Sequence, residues 1–198
     1  MPEHITIDTK GNVYVQSDIS NGPVTILDSS GTTVYSFIVE GHADGLAVDA
    51  KEDLYLANNE TKLIVRYAAG SGFTNPTTYA SGFQSLQGIT FNGSGQLFAE
   101  DYAAGIVYHA TSTDNTVWAT GLGSVTTLPM GDIAYVPDVG LLVAQFNGPV
   151  SQIPAEDVVN TFATGFSNPH GIAVDASHNI YIADYGSGSI WKFSPTAQ

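Results

Sequence analysis

Cysteine is absent from this chain, and basic residues are scarce. Without cysteine there is neither a disulfide framework nor a thiolate metal site. Only 5 lysines and arginines stand against 19 acidic residues among 198, which gives a formal net charge of −14. Such a surface repels phosphate groups, so we expect no nucleic-acid partner and no attraction to anionic membranes. The same charge favours cations.

Long apolar runs are also missing. No run approaches the ~18 residues that a membrane-spanning helix needs, so we expect no membrane insertion. Met1 is not followed by a secretory leader pattern. We interpret the chain as beginning at a repeat boundary, with any leader removed, in a secreted or periplasmic protein. The nucleophile elbow of serine hydrolases and the phosphate loop of nucleotide-binding proteins have no counterpart in the sequence.

What the sequence does contain is one motif repeated five times. The clearest copy, NPHGIAVDASHNIYIADYGSGSIWKF, begins at Asn168, and looser copies are EHITIDTKGNVYVQSD, DGLAVDAKEDLYLAN, QGITFNGSGQLFAED and GDIAYVPDVGLLVAQ. Each copy predicts two short strands joined by a turn, and in the first four copies two more apolar runs follow. The spacings are 41, 43, 44 and 39 residues when one residue per copy is taken as equivalent: His4, Gly45, Gly88, Asp132 and Gly171.

Four short strands every 40 or so residues are typical of a β-propeller blade. A β-sandwich also has many short strands, but it has no reason to reuse one motif. We therefore predict an all-β, single-domain propeller over residues 1–198, with five blades at approximately 1–40, 41–82, 83–121, 122–165 and 166–198. The alternative is a fragment of a six-bladed propeller.

The fifth copy ends near Phe193, which leaves too little chain for a good outer strand. An incomplete blade exposes a sheet edge, which is prone to association. We expect one of three outcomes: weak closure, association with a second copy through the incomplete last blade, or further repeats in a longer parent protein.

The pattern in NPHGIAVDASHNIYIADYGSGSIWKF, ADGLAVDAKEDLYLANN and EHITIDTKGNVYVQSD resembles the NHL-repeat propellers. It is also similar to the gluconolactonase, senescence-marker and strictosidine-synthase-like propellers. Those families usually have six blades, whereas five copies of the motif are present here. They also usually carry a basic residue in the third strand, which this sequence has only at Arg66 and Lys192. The resemblance covers nearly the whole chain, but one propeller fold supports many activities.

The residue before the repeated glycine is expected at the mouth of the central channel. These residues are Glu3, Asp44, Gln87, Gly131 and His170, and four of the five can ligate a metal. Oxygen ligands with one imidazole suit Ca²⁺ or another divalent cation. The alternative is a channel mouth that is polar only because water fills it.

The resemblance implies functional roles for these five channel-mouth residues. In gluconolactonase-like propellers the same repeat position supplies metal ligands, which Glu3 and Asp44 match in type and Gln87 matches less well. In streptogramin-lyase-like propellers a PHG-type motif carries a functional histidine, which implies a catalytic role for His170 as general base or fourth ligand.

Two further groups are candidates. Glu40, His42 and Asp44 share one side of an extended chain and form a candidate ligand trio, or else a solvated loop. Polar residues at the ends of the second strands are candidates for a second shell around a small polar ligand such as a sugar, with two tyrosines as stacking surfaces; the alternative is turn capping. These residues are Asp18, Asn58, Asn59, Glu100, Asp101, Tyr102, Gln145, Asn147, Asp184 and Tyr185.

Two functions of different class follow from these observations. The first is an NHL-type binding or scaffold module that presents a polar channel mouth to a small polar molecule or a protein partner. The alternative is a divalent-metal-dependent hydrolase acting on a lactone or ester, with a lyase that uses His170 on a cyclic substrate as a variant.

Overall fold

The computed structural model describes residues 2–123, 130–146 and 148–195, without the side chains of Glu3 and Met130. Its backbone forms five antiparallel sheets, each following the chain order, and one short 3₁₀ helix at Ala69–Ser71. The first two sheets contain β1 (Pro2–Ile7), β2 (Val13–Ser17), β3 (Pro23–Leu27) and β4 (Thr33–Ile38), then β5 (Ala43–Val48), β6 (Leu54–Asn58), β7 (Leu63–Tyr67) and β8 (Thr77–Ala80).

The remaining sheets follow the same plan, except that the last has three strands. They contain β9 (Leu86–Phe91), β10 (Leu97–Asp101), β11 (Ile106–Ala110) and β12 (Asn115–Ala119), then β13 (Met130–Val136), β14 (Gly140–Gln145), β15 (Val150–Ala155) and β16 (Val158–Ala163), and finally β17 (Pro169–Val174), β18 (Ile180–Asp184) and β19 (Ser189–Phe193). The first strands β1, β5, β9, β13 and β17 contact one another in chain order. The fold is a five-bladed β-propeller, as predicted, and the described part of blade 5 lacks an outer strand.

The turn between the first two strands has the same chemistry in four blades. In blade 1 the Asp8 Oδ1 accepts backbone hydrogen bonds from Lys10 and Asn12, both 2.9 Å long. Asp49, Asn92 and Asp175 accept the equivalent pairs in blades 2, 3 and 5. A short Asp or Asn side chain that accepts the backbone hydrogen bonds of its own turn fixes the hairpin register locally. The repeated motif is therefore easy to recognise in the sequence.

A tyrosine of the second strand adds a further hydrogen bond to this turn in three blades, at Tyr14, Tyr55 and Tyr181. Each hydroxyl donates to the Oδ2 of the turn aspartate in its blade, over 3.3, 3.4 and 3.1 Å. The rings of Tyr14 and Tyr55 are buried between blades, where they contribute to blade packing. The ring of Tyr181 is half-buried and lines a pocket together with Ile5 and Ile190.

Four apolar clusters hold the blades together, one between each consecutive pair. The cluster between blades 1 and 2 contains Val24 and Leu46, and that between blades 4 and 5 contains Val150 and Ile172. Burial of side chains of this size contributes about 1.5–3 kcal/mol each. Among the described residues no equivalent cluster joins blade 5 to blade 1, so the ring has one uncovered boundary. The described residues also contain no helix long and apolar enough to cross a membrane.

Candidate functional site

A β-bulge marks the predicted channel position in every blade. The register of the first two strands shifts between Pro2 and His4 in blade 1, between Ala43 and Gly45 in blade 2, and between Pro169 and Gly171 in blade 5. Blades 3 and 4 show the same shift opposite Glu100 and Ala144. A bulge leaves one residue unpaired and redirects its side chain. The repeat position identified in the sequence is therefore a distinct backbone feature.

The glycine after this position allows neighbouring first strands to approach closely. A Cβ added at Gly45 would lie 2.2 Å from the carbonyl oxygen of Gln87 on the next blade. His4 and Asp132 replace this glycine in blades 1 and 4. Both line a pocket of about 310 Å³ that His170 also lines and that is otherwise mainly apolar, with Ile5, Leu46, Ile89, Ile172, Ala173, Tyr181, Ala183 and Ile190 among its lining residues.

The two pocket histidines are held in the neutral form. Burial, with smaller effects of His170 and His42, lowers the pKa of His4 to about 4. Burial also lowers the pKa of His170, whose ring packs edge-on against Phe146 with ring centroids 4.9 Å apart. The Nε2 of His4 is buried and has no hydrogen-bond partner among the described residues. A buried unpaired nitrogen is costly unless something binds it.

Two carboxyl groups, of which Asp132 lines this pocket and Glu100 lies near Asp132, have raised pKa values. Asp132 accepts backbone hydrogen bonds from Ile133 (2.8 Å) and Ile172 (3.0 Å), and burial raises its pKa to about 6. Glu100 is fully buried, and its Oε1 accepts a 3.1 Å hydrogen bond from the Gly88 backbone. Burial and the charge of Asp132 raise the pKa of Glu100 to about 8, and its Oε2 is buried without a partner among the described residues.

The predicted trio is divided by the structure. His42 contacts the Oδ1 of Asp44 through Nδ1 at 2.5 Å and the Oδ1 of Asp18 through Nε2 at 3.1 Å. Burial raises the pKa of Asp44, although His42 opposes this effect. Glu40 instead lines a separate pocket together with Tyr67. The histidine is thus oriented by two carboxylates from blades 1 and 2.

The structure describes only some of the residues at the channel mouth that the sequence predicts as metal ligands. The Glu3 side chain lies outside the described residues, Gln87 is half-buried, Asp44 is paired with His42, and His170 lines the pocket. Within the described ranges, no group of three or more His, Asp or Glu side chains is placed to hold a metal ion. The described residues therefore do not by themselves form the predicted ligand set.

The ends of the second strands hold loops in place. Asp101 accepts backbone hydrogen bonds from Gln84 and Ser85, and Asp184 accepts the equivalent bonds from Ser167 and Asn168. Asn58 bonds the backbone of Glu40 and Thr61. These contacts are turn and loop caps, as the alternative interpretation expected.

The two tyrosines proposed as stacking surfaces differ from each other. Tyr102 packs against the cluster between blades 3 and 4, whereas Tyr185 is exposed. Asn147, from the same predicted group, lies outside the described residues.

Residues 166–193, the last copy of the motif, match the NHL repeat. The fifth blade of this β-propeller therefore contains an NHL repeat. No curated protein matches it. Among solved structures, virginiamycin B lyase from Staphylococcus aureus superposes on this propeller with a TM-score of 0.75 at 16% identity, over 98% of this chain and 70% of the lyase. Similarity at this level of identity shows the fold alone.

Two further structures are similar to the propeller. A catalytically inactive variant of the same lyase, with a histidine replaced by alanine and solved with quinupristin, gives a TM-score of 0.74 at 13% identity, over 98% of this chain and 69% of that one. An auxiliary nutrient binding protein from Bacteroides thetaiotaomicron gives 0.74 at 15% identity, over 98% and 55%. One propeller architecture thus carries both an enzyme and a binding protein.

Sequence reasoning named His170 and placed Glu100 in the group at the strand ends, but it did not assign His4 or Asp132 to a site. A signal for His4, Asp132 and Glu100 was present, because each breaks the repeat. His4 and Asp132 stand where three copies have glycine. Glu100 stands where three copies have alanine, at Ala57, Ala144 and Ala183. Departures from a repeat are therefore informative about the channel.

Proposed function

We propose that this propeller is a binding module whose ligand, a small polar molecule, lies in the channel pocket between His4 and His170. The observation that carries the proposal is the buried Nε2 of His4, which has no partner among the described residues. A mainly apolar pocket with a few convergent polar groups is the usual form of a small-molecule site. Here the polar groups are two neutral imidazoles and the carboxyl of Asp132.

The test is a thermal-shift screen with named probes, namely quinupristin, glucono-lactone and neutral monosaccharides. A ligand present at 100 times its dissociation constant stabilises the fold by about 2.7 kcal/mol. We expect a probe that raises the melting temperature of the wild type to lose this effect in His4→Ala and His170→Ala. The matched control is His178→Asn, which removes an exposed imidazole from a turn outside the pocket. An effect that survives both pocket substitutions would refute the proposal.

A second candidate is an enzyme that opens a cyclic ester, with His170 as the base. The lowered pKa of His170 supports it, because a neutral imidazole can accept a proton at neutral pH. Mass spectrometry of quinupristin after incubation separates two reactions. Elimination opens the ring without a change of mass, whereas hydrolysis adds the mass of one water. An unchanged substrate, or turnover equal in His170→Ala, would count against this candidate.

The metal-dependent form of that enzyme needs Glu3, Asp44 and Gln87 to hold Ca²⁺ or another divalent cation. A thermal melt in EDTA and then in excess Ca²⁺, Mg²⁺, Mn²⁺ or Zn²⁺ tests it directly, comparing the wild type with Asp44→Ala. Asp18→Ala is the control, because it removes the other carboxylate that contacts His42. A stabilisation lost only in Asp44→Ala would support a metal site, and no stabilisation by any ion would refute it.

A further inference from the structure

A cavity of about 510 Å³ lies between blades 4 and 5. Blade 4 contributes the turn that joins β13 to β14 and the ring of Phe162, and blade 5 contributes Ile180 and the end of its third strand. The walls are mainly apolar, at Val136, Val139, Phe162, Ile180 and Phe193. The cavity shares no described lining residue with the channel pocket, so it is a separate candidate site.

Aromatic rings pack together at the equivalent level between blades 2 and 3. Tyr55 of the second strand packs edge-on against Tyr79 of the outer strand and Phe91 of the next blade, with ring centroids 4.9 and 5.1 Å apart. The interface between blades 3 and 4 is similar, because Phe98 takes the position of Tyr55 and packs against Trp118 at 5.0 Å. Rings of the chain itself therefore close both interfaces.

The interface between blades 4 and 5 keeps only one of these ring positions. The strand register places Leu142 and Val174 at the two positions that carry Tyr55 and Phe91 between blades 2 and 3. The outer-strand ring is retained as Phe162, at the same bulge of the strand pairing. Two aliphatic side chains therefore stand where the interface between blades 2 and 3 has aromatic rings.

Between blades 1 and 2, a ring from the chain after a third strand packs at this level. Phe73 follows the third strand of blade 2 and stacks on Phe37, with ring centroids 5.5 Å apart. It packs against the cluster that contains Leu54, whose counterpart in blade 5, Ile180, lines the cavity. In blade 5 the described chain beyond the third strand is Ser194 and Pro195, and neither residue carries a ring.

We propose that the cavity between blades 4 and 5 binds a planar aromatic molecule with a hydrogen-bond donor, such as indole. The ligand supplies the ring that the chain supplies at the other three interfaces. The cavity is continuous with the established interface, because Val136, Ile180, Phe162 and Phe193 belong both to its wall and to the apolar cluster between these blades. Phe162 and Phe193 pack edge-on at 5.3 Å, and they offer an edge and a face to a further ring.

The charge at the rim favours a donor over an anion. Asp138 is exposed at the rim of the cavity, and a carboxylate accepts hydrogen bonds. Tyrosine hydroxyls donate in this way to the turn carboxylates of Asp8, Asp49 and Asp175 in the other blades. The net charge of −14 also repels an aromatic carboxylate.

The first test is calorimetric titration of the wild-type protein with indole, which should bind saturably at one site. N-Methylindole has the same rings without the N–H donor and should bind about fivefold more weakly. This difference should disappear in Asp138→Gly, a substitution that suits the positive φ of 64° at this residue. Indole-3-carboxylate should bind more weakly than indole. Equal binding of all three compounds would refute the assigned donor contact.

Filling the cavity tests its location. Val139→Trp places a bulky side chain in the cavity and should abolish indole binding. Ser194→Trp, a change at an exposed position of the rim, does the same without altering a half-buried side chain. Val158→Trp is the matched control, because Val158 is exposed on the outer strand of blade 4 and does not line the cavity. Thermal melts confirm that each variant is folded.

Nuclear Overhauser contacts between indole and methyl groups locate the ligand without any substitution. Contacts to Val136, Val139 and Ile180 are expected. Contacts to Ile5 and Ile190 would instead place indole in the channel pocket, which would overturn this proposal and leave the proposed function standing. The proposal is also wrong if indole does not bind saturably up to its solubility limit, or if folded variants with the filled cavity bind it as the wild type does.

Discussion

The carboxylate of Asp132 joins two blades, because its Oδ2 accepts a 3.0 Å hydrogen bond from the backbone N–H of Ile172 on the first strand of blade 5. Its Oδ1 accepts a second bond from Ile133 on its own strand. The residue that replaces the repeated glycine in blade 4 therefore fixes the strand that carries His170. A charged acceptor in a buried position is a strong hydrogen-bonding partner.

Replacement of this carboxylate should loosen the junction. In Asp132→Asn one of the two backbone donors faces an amide NH₂ instead of an oxygen, and a buried unpaired donor costs about 1–3 kcal/mol. We expect the free energy of unfolding in urea to fall by that amount. Asp138→Asn, an exposed change in the same blade, is the control and should have little effect. An equal free energy of unfolding for Asp132→Asn and wild type would mean that the hydrogen bonds from Ile133 and Ile172 to Asp132 contribute little to stability.

Glu100 should make the fold less stable as the pH rises. Its pKa is raised from 4.5 to about 8 in the folded state, so its stabilising contribution is complete below pH 4.5 and is lost through pH 8. Within this window the loss is about 1.4 kcal/mol per pH unit. Glu100→Gln keeps an acceptor for Gly88 and has no charge to bury, so it should be more stable than wild type at pH 9.

The same comparison at pH 5 should show a much smaller difference between Glu100→Gln and wild type. Urea unfolding at both pH values measures it, with Glu156→Gln as an exposed control. A pH-independent difference would show that the effect is one of packing rather than ionisation.

His4 should act in the opposite direction. Its pKa falls from 6.5 in the unfolded chain to about 4 in the fold, mainly through burial; the titratable neighbours His170 and His42 lower it further, and Asp18 opposes them. The unfolded chain therefore binds more protons between these values, and stability is lost as the pH falls from 6.5 to 4. The full loss is on the order of 3–3.5 kcal/mol. His4→Gly, which restores the glycine of the other copies, should remove this dependence.

Thermal melts of wild type and His4→Gly between pH 4 and 7 check this prediction. As the pH falls from 7 to 4, the melting temperature of the wild type should fall by more than that of His4→Gly, because only the wild type has a buried imidazole that protonates less readily than one in water. Parallel curves would show that other groups cause the acid sensitivity.

The repeated sequence predicted the blades because each hairpin is defined by local chemistry. The turn aspartates, the glycine in the first strand and the alternating apolar residues all lie within about twenty residues of one another. The repeat position was readable for the same reason, and the strand register shifts there in every blade. Closure of the ring was not predictable in this way, because it depends on whether blade 5 meets blade 1, which no local pattern encodes.

The pocket was only partly predictable. Counting the residue before the glycine found His170 but passed over His4 and Asp132, which occupy the glycine position itself. Their convergence depends on the curvature that stacking of successive blades produces. Glu100 was grouped with the strand-end residues that were candidates for a second shell or for turn capping, whereas its buried carboxyl accepts a hydrogen bond from the Gly88 backbone within the sheet.

The glycines of blades 2 and 5 offer a matched pair that tests the uncovered boundary. Gly45→Ala would place a Cβ 2.2 Å from the carbonyl oxygen of Gln87, so blades 2 and 3 must move apart. We expect a loss of about 2 kcal/mol or more, comparable to overpacking in a core. Gly171→Ala meets only the Ala183 methyl at 3.7 Å and should change the free energy of unfolding by less than about 0.5 kcal/mol. A large loss from Gly171→Ala would show that a first strand already lies against blade 5 at this position.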